Sequence, residues 1–236
     1  KVIYSNLYSK DVANLKAFWA KRGFKPVFKS VTDDEAFLAQ GDLVVSENSP
    51  TVKEILDFMM LWSDNLLADR LAGLAARAAG YPLNIKGIDT IFRTLLAQFE
   101  IDDSKLVVAD ASGLSKKNKI TAKLMGELLY KIRKDEKYAL LYQSLPVGGV
   151  SGTLQNRFTT TAPSAVGLVR AKTGTLNGTA TLAGYVQSKD REYVFVTLAD
   201  DIAKGNAALN KARAAIDRVL GRIAAPNIPA EISPAP

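Results

Sequence analysis

The chain has 236 residues, 47% hydrophobic and 23% charged, with a net charge of +7 and neither histidine nor cysteine. That length allows one large domain, or one with a small appendage, and the composition is that of a globular protein. Without His or Cys there can be no Ser-His-Asp triad, thiol nucleophile, disulfide, histidine metal ligand or thiolate zinc site, so acid–base work falls to Lys, Asp, Glu or Tyr; no cofactor or metal is expected.

Residues 1–45 read as a small α/β segment, in which Val12, Leu15, Phe18 and Trp19 recur at helical spacing and Gly23 is a helix stop. Residues 33–42 are polar and turn-like. Ser49-Pro50 predicts a helix start, serine as N-cap and proline at the first helical position, followed by the stripe Val52, Ile55, Leu56 and Met59. Ser63-Asp64-Asn65 interrupts that helix near Trp62, since all three favour caps and turns. A second helix follows through Leu67, Leu71, Leu74 and Ala78 to a stop at Gly80, and a third carries Ile88 to Phe99. Leu106 to Ala109 is a short strand candidate, and Asp110 to Gly113 a turn. Thr121 caps a helix bearing Leu124, Leu128, Leu129 and Ile132, with Lys131, Arg133 and Lys134 suited to its C-terminal dipole. The pattern then changes to three strands, 166–171, 179–186 and 193–198, joined by turns at Asn177-Gly178 and Lys189-Asp190, an antiparallel meander. Residues 207–223 form a last helix, and 224–236 a Pro-rich tail.

No run of 18 apolar residues is present to form a transmembrane helix, and the chain starts at Lys1 without a recognisable leader, as expected of a mature or cut product. The positive charge serves solubility or attraction to an anionic polymer. Its basic residues are scattered and not interleaved with aromatics, which argues against a nucleic-acid groove.

Two tripeptides carry chemistry. Lys172 is expected at a strand end before a turn, where it could hold a substrate carboxylate with the hydroxyls of Thr173 and Thr175. Gly174 would let the substrate approach the backbone, and the Thr175 N–H could point at an oxyanion. The competing reading is a Lys-Thr-Gly beside a surface hairpin. At the helix junction, Ser63 beside a lysine could pass a proton to a leaving amine, and Asn65 could both accept from and donate to a substrate amide. The competing reading there is helix capping by Ser63 or Asp64. As a pair, Ser-Asp-Asn and Lys-Thr-Gly are two of three elements of penicillin-binding proteins and β-lactamases; the third, the nucleophilic Ser-x-x-Lys, follows no serine in the chain.

The chain resembles the D-alanyl-D-alanine carboxypeptidase/endopeptidases of peptidase family S13, the low-molecular-mass class C penicillin-binding proteins, over roughly residues 46–200. The likeness runs through Trp62-Ser63-Asp64-Asn65-Leu66-Leu67-Ala68-Asp69 and Val108-Ala109-Asp110-Ala111-Ser112-Gly113-Leu114-Ser115, where Ala111 replaces a glycine. It continues through Leu145-Pro146 to Gly152-Thr153-Leu154-Gln155-Asn156-Arg157, and Ala171-Lys172-Thr173-Gly174-Thr175-Leu176 to Leu182-Ala183-Gly184-Tyr185. The resemblance implies an α/β (α+β) fold of the penicillin-binding-protein/β-lactamase type, an antiparallel sheet flanked by helices plus a helical subdomain, incomplete in this chain. Residues 1–45 would end an inserted domain and return to the catalytic domain, whose C-terminal part would be 46–223.

The resemblance also implies roles. Ser63 would relay protons, Asn65 would hold substrate and orient the catalytic lysine, and Lys172 would stabilise charge near Ser63. Thr173 and Thr175 would bind the terminal carboxylate, beside Gly174. The reaction would be acyl transfer from D-Ala-D-Ala to a serine, then hydrolysis, on peptidoglycan peptides outside the cytoplasm, with β-lactam antibiotics as slow acylating mimics. The nucleophile would come from an N-terminal fragment of the same protein, since none is found here. Ser49 has its lysine at Lys53, one residue too far, and reads as a cap. The alternative is a non-catalytic penicillin-binding-protein-like module that binds peptidoglycan or a partner. A β-lactamase is disfavoured by the absence of a Glu-x-x-x-Asn segment between the motifs.

Overall fold

The computed structural model describes residues 2–4, 9–32, 34–35 and 50–226. The chain divides into two compact units between Ser49 and Pro50. In the first, strand β1 (Val2–Tyr4) pairs in parallel with β2 (Phe28–Ser30), and helix α1 (Ser9–Ala20) connects them. Val12 is its buried anchor, and Phe18, Trp19 and Phe24 meet edge to face. Gly23 takes φ +82°, the left-handed geometry that ends α1, as its place in the sequence predicts. The turn expected at 33–42 lies, apart from 34–35, outside the described residues.

The second unit starts with α2 (Val52–Trp62). Its N-cap is Thr51, not Ser49: the Thr51 hydroxyl accepts from the Glu54 N–H at 3.3 Å, and the Glu54 carboxylate accepts from the Thr51 N–H at 2.8 Å. This reciprocal capping box satisfies two helix-end donors at once and outcompetes the simpler Ser-Pro start. Ser49 itself lies outside the described residues. Helices α3 (Asn65–Ala78), α4 (Ile85–Gln98), α5 (Ala122–Lys134) and α6 (Ala139–Gln143) follow. Leu96, Ile101 and Leu124 bury a small core between α4 and α5.

The strand expected at Leu106 to Ala109 is reduced to one bridge, Val107 with Lys119. Side chains have taken the segment's backbone groups instead: Arg93 donates to the Leu106 carbonyl at 2.9 Å, and the Asn118 amide oxygen accepts from the Ala109 and Asp110 N–H groups at 2.6 and 3.2 Å.

The meander is present as β3 (Val169–Leu176), β4 (Thr179–Ser188) and β5 (Arg191–Ala199), in that order across an antiparallel sheet, with both turns where the sequence places them. The first strand is shifted. Residues 166–168 turn back on the 163–165 segment, and Gly167 has φ +77°, so β3 starts at Val169; pairing then continues to Leu176 opposite Thr179. Lys172 to Thr175 therefore lie inside the strand and not at its end.

Helix α7 (Asn206–Ala224) covers one face of the sheet, where Val169, Ala171, Leu182 and Val186 pack with Ile216 and Leu220. Tyr185, of opposite parity, points to the other face and donates to the Leu129 carbonyl of α5 at 2.8 Å. The sheet is thus held between α7 and the helical half. Of the tail expected at 224–236, residues from 227 onward lie outside the described residues. Among the described residues no helix is long and apolar enough to cross a membrane.

Candidate active site

Ser63 sits at the break between α2 and α3, in the left-handed region at φ 58° and ψ 49°. A non-glycine residue in that conformation is strained by roughly 1–2 kcal/mol and needs its surroundings to hold it. Two contacts do so. Asp64 caps α3 by accepting from the Leu67 N–H at 2.9 Å, which fixes the start of the next helix. The Gly152 backbone lies so close that a Cβ there would stand 2.5 Å from the Leu61 carbonyl oxygen. Of the two candidate capping residues, the cap is Asp64, which leaves the Ser63 hydroxyl free for another partner.

That partner is Lys172. Its ammonium donates to Ser63 Oγ at 2.5 Å and to the Thr173 carbonyl at 3.1 Å. Burial pushes the Lys172 pKa below its ordinary value. Two tripeptides far apart in sequence therefore meet as a hydroxyl–amine pair in which the amine loses its proton more readily than a surface lysine does.

Ser63, Asn65, Lys172, Thr173, Gly174 and Thr175 all line one cavity of about 570 Å³. Asn65 is exposed at its mouth. The opposite wall is the loop of Ala111 to Leu114, with Met59, Met60 and Met125 supplying apolar surface. The strand edge supplies more. The Ala171 N–H donates outward to the Pro146 carbonyl, and the Val169 carbonyl accepts from Gly148, so the backbone groups of odd residues in β3 point away from β4. By alternation the N–H and C=O of Thr173 and Thr175 face the open edge, where an extended peptide can add as a strand. Gly174 faces Thr181 across the pair, and a Cβ there would stand 2.3 Å from its hydroxyl. In this chain Gly174 thus relieves crowding inside the sheet as well as any approach from outside it.

Several residues that build the site carry no obvious mark in the sequence. Asp69 on α3 accepts from the Ala111 and Ser112 N–H groups at 2.8 and 2.9 Å and pins the facing loop. Asp110 accepts from Gly113, Ser115 and the Asn118 side chain at 2.7, 2.6 and 2.7 Å. Burial raises its pKa, but these hydrogen bonds outweigh burial and hold the carboxyl below its usual range. Thr153 and Thr173 share a hydrogen bond at 2.9 Å. Of these, only the Asp-x-x-Gly turn could be read from residue types, as an aspartate bonding its own loop. The Ser49 and Lys53 pair gains nothing: Lys53 is bound to Asp57 at 2.6 Å along α2.

A family model described as the D-Ala-D-Ala carboxypeptidase 3 (S13) family matches residues 7–223. The chain is 34% identical over 211 residues to a carboxypeptidase DacB of Mycolicibacterium smegmatis, which covers 87% of this chain and 45% of that protein. It is 32% identical over 181 residues to a D-alanyl-D-alanine carboxypeptidase DacB of Haemophilus influenzae, covering 74% of this chain and 37% of that protein. The fold is similar to the crystal structure of penicillin-binding protein 4 (dacB) from Haemophilus influenzae, with a TM-score of 0.77 at 27% identity over 89% of this chain and 47% of that one. The chain spans less than half the length of these relatives.

Proposed function

This chain belongs to the D-Ala-D-Ala carboxypeptidase (S13) family, and from that membership we propose that it carries the Ser-Asp-Asn and Lys-Thr-Gly elements of a serine-type D-Ala-D-Ala carboxypeptidase/endopeptidase of peptidoglycan stem peptides. The observation that supports this reading best is the 2.5 Å contact between Lys172 Nζ and Ser63 Oγ in a cavity open to the free edge of β3. In this reading the stem peptide lies along β3. Its terminal carboxylate meets the hydroxyls of Thr173 and Thr175, and the Thr175 N–H polarises the carbonyl under attack. A serine of a Ser-x-x-Lys segment outside these 236 residues gives its hydroxyl proton to the lysine of that segment as it attacks that carbonyl and forms an ester. The C–N bond to the terminal D-alanine breaks, and the leaving amine takes its proton through Ser63, which Lys172 resupplies. Water then hydrolyses the ester. Asn65 holds the substrate amide at the cavity mouth. β-Lactams would acylate the same serine, and the enzyme would work outside the cytoplasm, on the cell wall.

The test is a fluorescent penicillin added to this chain alone and to a polypeptide that joins it to a family N-terminal part bearing Ser-x-x-Lys. Labelling only of the joined protein, lost on Lys172→Met, is the expected result. A serine of this chain labelled on its own would refute the division of roles. The alternative reading is a non-catalytic module that binds peptidoglycan or a partner. Peptidoglycan binding by the joined protein with no penicillin label and no release of D-alanine would select it.

A further inference from the structure

A second cation reaches β3 from the face opposite Lys172. The face of β3 that carries Val169 and Ala171 onto α7 continues to Thr173, opposite Leu182, and Thr175, opposite Ala180. Arg213 is placed one helical turn before Ile216 and Asp217 on α7, and so reaches this face beyond the core, at Thr175, which lines the cavity. Its Nη2 donates to Thr175 Oγ1 at 3.0 Å, and its Nη1 to the Asn210 amide oxygen at 3.2 Å.

The nearest carboxylate along the helix is already engaged. Both oxygens of Asp217 accept from Arg157, and one accepts also from Thr161 at 3.0 Å. Arg157 reaches past it to the Arg213 carbonyl at 3.3 Å and fixes that turn of α7. Among the described residues no carboxylate forms an ion pair with Arg213. A guanidinium at the surface therefore has one N–H on a threonine hydroxyl of the cavity and, among the described residues, no carboxylate in an ion pair with it. Lys172, by contrast, is engaged with Ser63 and the Thr173 carbonyl.

We propose that Arg213 supplies the positive charge that pairs with the terminal carboxylate of the substrate, at a subsite completed by the hydroxyls of Thr153, Thr173 and Thr175, so that Lys172 is left to serve Ser63. This rests on the carboxypeptidase reading above and divides its two charge roles between two residues. The planar fork of arginine suits the task, because one N–H can keep Thr175 oriented while others meet a carboxylate oxygen; a lysine offers a single point charge.

The test is binding of N-acetyl-D-Ala-D-Ala and of its C-terminal carboxamide to the 236-residue chain, followed through the backbone NMR signals of Thr173 and Thr175. The expected result is that the acid binds about tenfold more tightly than the amide, the size of one charge-assisted hydrogen bond. Arg213→Gln, which keeps a donor for Thr175 but no charge, should abolish that preference. Arg213→Lys should restore part of it, and Lys172→Met should retain it. A preference for the acid that survives Arg213→Gln, or that Lys172→Met abolishes, overturns the inference and leaves the carboxypeptidase reading standing. No preference in the wild-type chain, or shifts remote from Thr173 and Thr175, overturns that reading and the inference with it.

Discussion

Arg157 and Lys172 are both drawn out of water in the larger unit, and their surroundings differ in kind. Beneath α7, the Arg157 side chain keeps 15% of its surface and faces Asp217, which is 2% exposed, through Nε at 3.1 and 3.0 Å and through Nη2 as well. Beside the cavity, Lys172 meets, among the described residues, a hydroxyl and a carbonyl and no carboxylate. The first arrangement neutralises a charge and fixes geometry: it locks the loop that follows Gly152 to α7. The second leaves an amine whose pKa burial pushes below its ordinary value, with no charge beside it, among the described residues, to offset that. The segment from Gly152 to Arg157 joins the two regions, since Gly152 lies against the carbonyl of Leu61, Thr153 touches Thr173, and Arg157 holds the far end. A rigid ion pair on one side of the sheet thus backs the strand that carries a partly buried lysine on the other.

The largest expected effect breaks the fixed side. Asp217→Ala strands a buried guanidinium and should cost about 3–5 kcal/mol in urea unfolding. Arg157→Met combined with Asp217→Leu should recover most of that loss, because no charge is then left unpaired. A loss below about 1 kcal/mol for the single variant would place Arg157 in water and remove the contrast with Lys172. The link between the regions comes next. Gly152→Ala adds a Cβ 2.5 Å from the Leu61 oxygen at a residue with φ +54°, and the neighbour it meets is backbone. Strain and overpacking together predict a loss of about 1–3 kcal/mol and displaced NMR signals at Ser63 and Thr173. Destabilisation with those signals unmoved would show that the loop does not position the site.

How much of this could be read from residue types depends on whether a feature is local. Helices α2 to α5, the meander and its two turns follow from periodicity and turn residues, and the Ser-Asp-Asn and Lys-Thr-Gly motifs stand out as words. What escaped was decided by partners distant in sequence. Residues 106–109 have the look of a strand, but Arg93 and Asn118 took their backbone groups. The stretch 166–168 is apolar enough for a strand, but Gly167 and the 163–165 turn bent it, and pairing with β4 ran on to Leu176, which left Lys172 in mid-strand. Arg213 looks like any arginine on an amphipathic helix; only the register of β3 under α7 brings it to Thr175. The helix cap at Thr51 is the exception, since Thr51-x-x-Glu54 was a legible capping box masked by the Ser-Pro beside it.

The smallest expected effect sharpens the Lys172 side. Burial holds Lys172 below the ordinary lysine value of 10.5 in the folded protein, whereas the unfolded chain keeps its proton up to about that value. Between the two pKa values the unfolded state binds more protons, so folding stability gained from this residue rises with pH across that window; below the folded value the burial penalty is present in full. Lys172→Met, which removes the charge and keeps the bulk, should therefore not lower stability at pH 7, opposite in sign to Asp217→Ala. Any advantage of the variant should shrink as the pH approaches 10.5, because only the wild type gains there. The Lys172 Cε signal, followed by carbon NMR, should titrate below 10.5 in the wild type and remain depressed in Ser63→Ala, since burial and not the serine hydroxyl sets the shift. If Ser63→Ala returns the midpoint to the ordinary value, the hydroxyl and not burial depresses it, by favouring the neutral amine, opposite in sense to the way Asp217 holds the charge of Arg157.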